Sequence, residues 1–416
     1  MRRSLDWLYP GLGIKRWLLL AFAGAVLLVY SALFAIGVFW SLQLMRGLGM
    51  GWLENRHWAA ILLACDGLAV GALALAIGVH RAWLFQQTTP ETASVIRAAS
   101  RLARGPRVAA VGGGNGLAAL LRGLKTQTSN LTAVVTMADD GGSSGLLRRD
   151  MGMPPPGDLR NCLVALADDE SMMSRLFQYR FPVEGALHGH SFGNLFMVAL
   201  AEVTGDFERA VQESTRVLKV SGRVLPSTLD DVVLHAQLEG GASVSGESTI
   251  TAATRLPRNV WLAPTAPRAL PQAVSAVAGA DLVVLGPGSL YTSVIPNLLI
   301  PEIRAAIKKT KATVVYVCNV MTQPGETDGY TAGDHIDALF RHGVTGLIDA
   351  VLVNDAPLTE EVLSSYQRLG ALPVRVDEER LQLMGVRVVY APLIAEGSVA
   401  RHDPDRLAEA LLRLAR

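Results

Sequence analysis

Three short runs of mostly β-branched residues each empty into a glycine-rich loop with a helical pattern close behind. Val108–Val111 leads into Gly112-Gly113-Gly114-Asn115-Gly116. Leu131–Thr136 leads, through Met137 and Ala138, into Asp139-Asp140-Gly141-Gly142-Ser143-Ser144. Asp281–Leu285 leads into Gly286-Pro287-Gly288-Ser289. Continuous apolar runs of this length suit strands covered on both faces, and strands alternating with helices require a parallel α/β sheet, doubly wound. Further strands are expected at Ala312–Cys318, Ala350–Val353 and Val386–Tyr390. Helices are expected at Leu117–Leu124, Leu159–Ala167, Phe192–Val203, Phe207–Leu218, Pro301–Lys308, Thr359–Leu369 and after Asp403-Pro404. Asp231–Ile250 instead alternates polar and apolar residues around Gly240-Gly241, which predicts a small antiparallel hairpin inserted in the sheet domain.

The N-terminal quarter is of another kind. Trp17–Leu44 is uncharged, and Trp58–Phe85 is apolar apart from Asp66, His80 and Arg81. Each exceeds the roughly 20 residues that cross a bilayer as a helix. The length of the first run and the second run close behind it argue against a cleaved signal peptide. The expected organisation is a transmembrane two-helix hairpin over 1–87, a linker helix over 88–106 and a soluble domain over 107–416. Thr89, Pro90 and Glu91 suit the start of the linker helix, and Arg97, Arg101 and Arg104 share one face of it. Basic residues before the first span and after the second place both termini and the domain in the cytoplasm, at the cell membrane. Trp17, Trp40, Trp58 and Trp83 mark the span ends. Asp66 reads either as a polar contact between the helices or as a carboxylate near the headgroups. The net charge of +1 gives no footprint for nucleic acid. Cys65, Cys162 and Cys318 are odd in number and contain no CxxC pair, so a disulfide framework or zinc site is not expected, and all three read as small buried hydrophobes.

The loops carry the chemistry. Gly112, Gly113, Gly114 and Asn115 open a helix start whose amides suit a phosphate. Leu117 stands where the dinucleotide fingerprint needs a third glycine, which counts against an NAD-dependent oxidoreductase, and no Walker lysine follows. Asp139 and Asp140 can accept ribose hydroxyls or hold a hard cation, while Gly141, Gly142 and Ser143 offer donors to phosphate oxygens. Asp158 either caps the helix starting at Leu159 or joins Asp140 on magnesium. Ser191 can cap the next helix, which puts His190 and Asn194 one turn apart. Gly288, Ser289 and Thr292 can bind phosphate, and Tyr291 can stack on a ligand. Asn319–Thr327 looks like a fourth loop on the same rim. GxSxG is absent, and His335 and His342 read as surface residues.

These loops, in this order, resemble the YvcK-type proteins, called gluconeogenesis factors, within the CofD-like superfamily. The segments carrying the likeness are GGGNG, ADDGGSSG, PPPGDLRNCLVALAD, GHSFGNL, SGRVLPSTLDDV, GPGSLYTSVIPNLL and NVMTQPGETDGYTAGDHI, from about Arg107 to the C-terminus. The resemblance implies a Rossmann-like domain that binds a UDP-sugar, UDP-N-acetylglucosamine in particular, without a required cofactor. It also implies a role in gluconeogenic growth, cell-wall precursor supply and cell shape. By motif, Gly112–Asn115, Asp139–Ser143, His190, Asn194 and Gly288–Thr292 would contact the nucleotide, with Tyr291 on its sugar. The CofD branch transfers a phospholactyl group to a deazaflavin using magnesium, so a transferase is the alternative, with Asp140 and Asp158 as its metal ligands. Asn115, where that branch tends to have Thr, and the full DDGGSSG loop favour the regulators. The hairpin departs from the soluble members. A protein partner in envelope synthesis and a homo-oligomer are both left open.

Overall fold

The computed structural model describes residues 14–49, 58–86, 98–167, 172–182, 185, 187–395, 397 and 399–415. The chain divides into two compact units, Met1–Arg101 and Leu102–Arg416.

In the first unit, helices α1 (Ile14–Gly47) and α2 (Trp58–Gln86) pack along each other as a hairpin. Small residues set their spacing: a Cβ at Gly24 would stand 2.6 Å from the Leu75 amide nitrogen, and one at Gly78 the same distance from that of Ala21. Leu19, Phe22, Trp40, Leu62 and Leu73 face outward, uncovered. Both helices are long and apolar enough to cross a membrane. Arg16 and Arg81 both lie over the Trp17 ring, at 5.3 and 5.5 Å. Asp66 and Cys65 lie on the exposed surface of α2, so neither the interhelical contact nor the buried cysteine read from the sequence is formed there. Of the expected linker helix, residues 98–102 are helical and 88–97 lie outside the described residues.

The second unit is an α/β fold around a seven-stranded parallel sheet ordered β10-β9-β8-β7-β1-β2-β3. Its strands are β1 (Val108–Gly112), β2 (Leu131–Val135), β3 (Arg223–Pro226), β7 (Leu282–Leu285), β8 (Thr313–Val317), β9 (Ala350–Asn354) and β10 (Arg387–Ala391). β1, β2, β7 and β8 are buried at every position. Each covered Val or Leu contributes about 1.5–3 kcal/mol of transfer free energy. β3 escapes the sequence reading because it is four residues long and begins on an arginine. The insertion is a separate antiparallel sheet of three strands, not a two-stranded hairpin: β4 (Val233–Leu238), β5 (Ser243–Ser245) and β6 (Pro257–Ala263). Glu247–Thr251, expected as strand, is one helical turn.

Close packing holds the helices to this frame. The helix Gly114–Leu124 meets the helix Pro404–Leu412 at Gly123, where a Cβ would stand 1.8 Å from the Pro404 carbonyl oxygen. β1 sits between β2 and β7, with the chain progressing outward on both sides. The carboxyl ends of β1 and β7 are therefore the topological switch point, where open α/β sheets bind ligands.

Candidate functional site

β1 ends at Gly112, Gly113 is the extended cap, and the helix starts at Gly114 with φ +65°, a conformation that favours glycine. Its cap residue offers no side chain, and the Gly114 amide instead donates to Asp158. A Cβ at Gly113 would stand 2.5 Å from Asp158 Oδ2, and one at Gly116 would stand 2.5 Å from the Pro287 carbonyl oxygen. Only a bare backbone lets the β1 and β7 loops approach this closely. Asn297, fully buried, stitches them together by donating to Gly112 O at 3.2 Å and Ser293 O at 2.9 Å.

On the β2 side, Gly142 and Ser143 are not open loop but the first turn of a helix, Gly142–Met151, again without a side-chain cap. Asp139 accepts from the Gly141 amide at 2.9 Å. Asp140 accepts from the Ser248 amide of the insertion at 2.8 Å. Arg148 Nη2 donates to Val232 O at 2.6 Å and pairs with Asp231, tying the insertion to this helix. Ser143 Oγ lies 3.1 Å from His190 Nδ1 and accepts from Asn194 Nδ2 at 3.1 Å. Ser191 caps the helix Phe192–Thr204 as expected, and Arg160 Nη1 donates to its hydroxyl. Four residues singled out separately in the sequence thus converge. His190 is 9% and Asn194 1% exposed, so both are buried against Ser143.

The electrostatics centre on a residue the sequence did not flag. Glu247, from the helical turn of the insertion, shares a hydrogen bond with Asp139 and feels Asp158 and Asp140. Burial first, and Asp139 next, push its carboxyl up to about 9. Asp158 is pushed to about 6 by burial and then Asp139, against the Gly114 amide that it accepts. Asp158 sits in the first turn of the helix Gly157–Leu166 but makes no capping bond there. Behind it, burial and the nearby Arg180 lower Arg160 to about 10. The charges acting on Asp158 are those of Asp139 and Arg160, while the Asp140 carboxylate is engaged by Ser248. Among the described residues, no three His, Cys, Asp or Glu side chains are grouped as a metal site.

On the β7 side, a cleft of about 370 Å³ is lined by Asn115, Gly116, Gly288, Ser289, Arg401 and His402, among others. Burial pushes His402 down to about 4, so its ring is neutral at physiological pH. A second cavity of about 280 Å³ at the ends of β8 and β9 shares Asn319 and Val320 with it and adds Asn354 and Asp355. The two groups of candidate residues therefore flank the β1 loop: Asp139, Ser143, His190 and Asn194 toward β2, Gly288 and Ser289 toward β7.

Two expectations are corrected here. The Tyr291 ring does not face the cleft: it is fully buried, shares a hydrogen bond with Tyr330 at 2.9 Å and accepts from Arg341 at 3.2 Å. The amides of Tyr291 and Thr292 are taken by Glu326 Oε1, at 2.6 and 3.2 Å. His335 and His342 are buried too, each with Nδ1 donating to the carbonyl one turn back, at Thr331 and Ala338. Glu247, Glu326, Arg401 and His402 went unread because each acts through a long-range approach that no local pattern announces.

The family profile described as 2-phospho-L-lactate transferase CofD matches residues 108–394. The gluconeogenesis factor of Bacillus subtilis strain 168 is 48% identical over 310 residues, covering 74% of this chain and 98% of that protein. This chain belongs to the CofD-like gluconeogenesis factor family. A relative from Nostoc sp. strain PCC 7120 is 45% identical over 418 residues, 98% of this chain and 91% of its own. A crystal structure of a Bacillus halodurans protein superposes with a TM-score of 0.72 at 46% identity, covering 74% of this chain and 100% of that one. The residues matched by the family profile all lie within the C-terminal unit.

Proposed function

We propose that the C-terminal unit binds a UDP-sugar, UDP-N-acetylglucosamine foremost. In this reading the hairpin tethers it to the cell membrane on the cytoplasmic side, and it regulates gluconeogenic growth, cell-wall precursor supply and cell shape. One observation carries the reading: a glycine-built helix start lies at the switch point of the sheet, beside a cleft lined by Asn115, Gly288, Ser289 and Arg401. The amides beyond Gly114 would hold the diphosphate, and Asn115, Gly288, Ser289 and Arg401 would surround it. No magnesium is required. Melting curves of the chain with UDP-N-acetylglucosamine, UDP and NADH test this. A ligand at one hundred times its Kd stabilises by about 2.7 kcal/mol, so the UDP compounds should raise Tm and NADH should not. Equal responses to all three would defeat the proposal.

A second reading, a magnesium-dependent transferase acting on a nucleotide-diphosphate donor, is supported by the CofD match and by the crowding of Asp139, Asp158 and Glu247. Magnesium held through Asp140 and Asp158 would supply charge neutralisation at a leaving phosphate. Mass spectrometry of the chain with such a donor, magnesium and a deazaflavin acceptor separates the two: transfer product supports the enzyme, and its absence supports the regulator.

A further inference from the structure

The loop that leaves β7 is held from behind. The amides of Tyr291 and Thr292 begin a helical turn and have no partner within it. Glu326, 1% exposed, supplies the acceptor with its Oε1. Its other oxygen, Oε2, is buried without a hydrogen-bond partner. The Tyr316 hydroxyl and His335 Nε2 are in the same condition, on side chains that are wholly buried. The three come from β8, the segment 319–331 and the helix Ala332–Leu339, and they share one neighbourhood. The Tyr316 and His335 rings are 6.2 Å apart, and the Glu326 charge acts on the Tyr316 hydroxyl. Leaving one buried polar group unsatisfied is costly, and three together call for a common partner.

The proton inventory identifies that partner. His335 Nδ1 lies 2.8 Å from the Thr331 carbonyl oxygen, so Nδ1 carries the hydrogen and Nε2 is an acceptor. Burial pushes the Glu326 carboxyl up to about 7, so its Oε2 is an acceptor when ionised and a donor when protonated, and Tyr316 offers one donor. A water molecule complements this set in either state: it donates to Nε2, accepts from the tyrosine, and donates to Oε2 or accepts its proton. Buried waters typically make about three such bonds.

We infer that an ordered water bridges Glu326, Tyr316 and His335, and that Glu326, held by it, is the positioning residue that fixes the loop 286–294 at the edge of the cleft. Glu326 touches no ligand. It acts through the turn that presents Gly288 and Ser289, and the inference does not depend on which ligand the cleft takes.

Hydrogen–deuterium exchange of the full chain in detergent micelles, read on peptides covering 286–298, tests this. Glu326→Ala should speed exchange at Tyr291 and Thr292 at least tenfold. Glu326→Gln, which keeps an acceptor for both amides, should restore most of the protection. Tyr316→Phe and His335→Phe touch neither amide, yet each should speed exchange severalfold, and Tyr316→Phe should add nothing on top of Glu326→Ala. Unchanged exchange in peptides covering 131–135 shows in every variant that the sheet persists. Wild-type rates in Tyr316→Phe and His335→Phe, or additive effects in the double variant, would overturn the inference. So would rates that change when sodium replaces potassium at equal ionic strength, which would put a cation in place of the water.

Discussion

Replacing Glu247 by Gln should make the protein more stable at neutral pH, and the gain should depend on pH in a specified way. The carboxyl is raised from 4.5 to about 9, chiefly by burial and then by Asp139. Its folded value lies above its unfolded one, so the native state keeps a proton that the unfolded chain releases above pH 4.5. The stabilisation from that proton is complete below pH 4.5 and is lost as pH rises toward 9. At pH 7 the loss reaches about 3 kcal/mol, at 1.36 kcal/mol per unit. Glutamine does not titrate and can still donate to Asp139 as the protonated acid does. The variant should therefore match the wild type near pH 4.5 and exceed it by about 3 kcal/mol at pH 7. Urea denaturation of a chain starting at Leu102, where the second compact unit begins, measures this at pH 5, 6, 7 and 8. A gain independent of pH, or a loss at pH 7, would refute the proton shared between Asp139 and Glu247.

Two further substitutions probe the frame and the loop. Gly123→Ala places a methyl group 1.8 Å from the Pro404 carbonyl oxygen. It should cost about 1–3 kcal/mol in the same denaturation experiment, because backbone must move to admit it. Tyr291→Phe removes a hydroxyl bonded to Tyr330 and Arg341. It should cost about 1 kcal/mol of stability and leave ligand affinity unchanged by calorimetry, since the ring faces the core.

The sheet was legible where burial is uniform. β1, β2, β7 and β8 are continuous apolar runs because both faces are covered, and such runs carry their own signature. β3 and β6 contain arginine and proline beside the apolar residues, and only their partners define them as strands. The glycine loops were legible for the same local reason, since Gly114 needs its positive φ and Gly113 and Gly116 need bare backbone against Asp158 and Pro287. The convergence of His190 and Asn194 followed from their one-turn spacing, though their common target, Ser143, did not. Tyr291 shows the limit: an aromatic in a glycine-rich loop reads alike whether it faces a ligand or the core. The same holds for His335 and His342, whose polarity is absorbed by carbonyls one turn back. Glu247 and Glu326 sit 108 and 35 residues from the Asp139 and Tyr291 that define them.

The central claim is that backbone amides at the switch point hold a nucleotide diphosphate. Isothermal titration of residues 102–416 with UDP-N-acetylglucosamine, beside the variant Gly113→Ala, addresses it. The expected result is saturable binding at one ligand per chain, weakened at least tenfold in the variant, because its methyl group would collide with Asp158. No heat at millimolar ligand, or equal affinity in the two proteins, would contradict it.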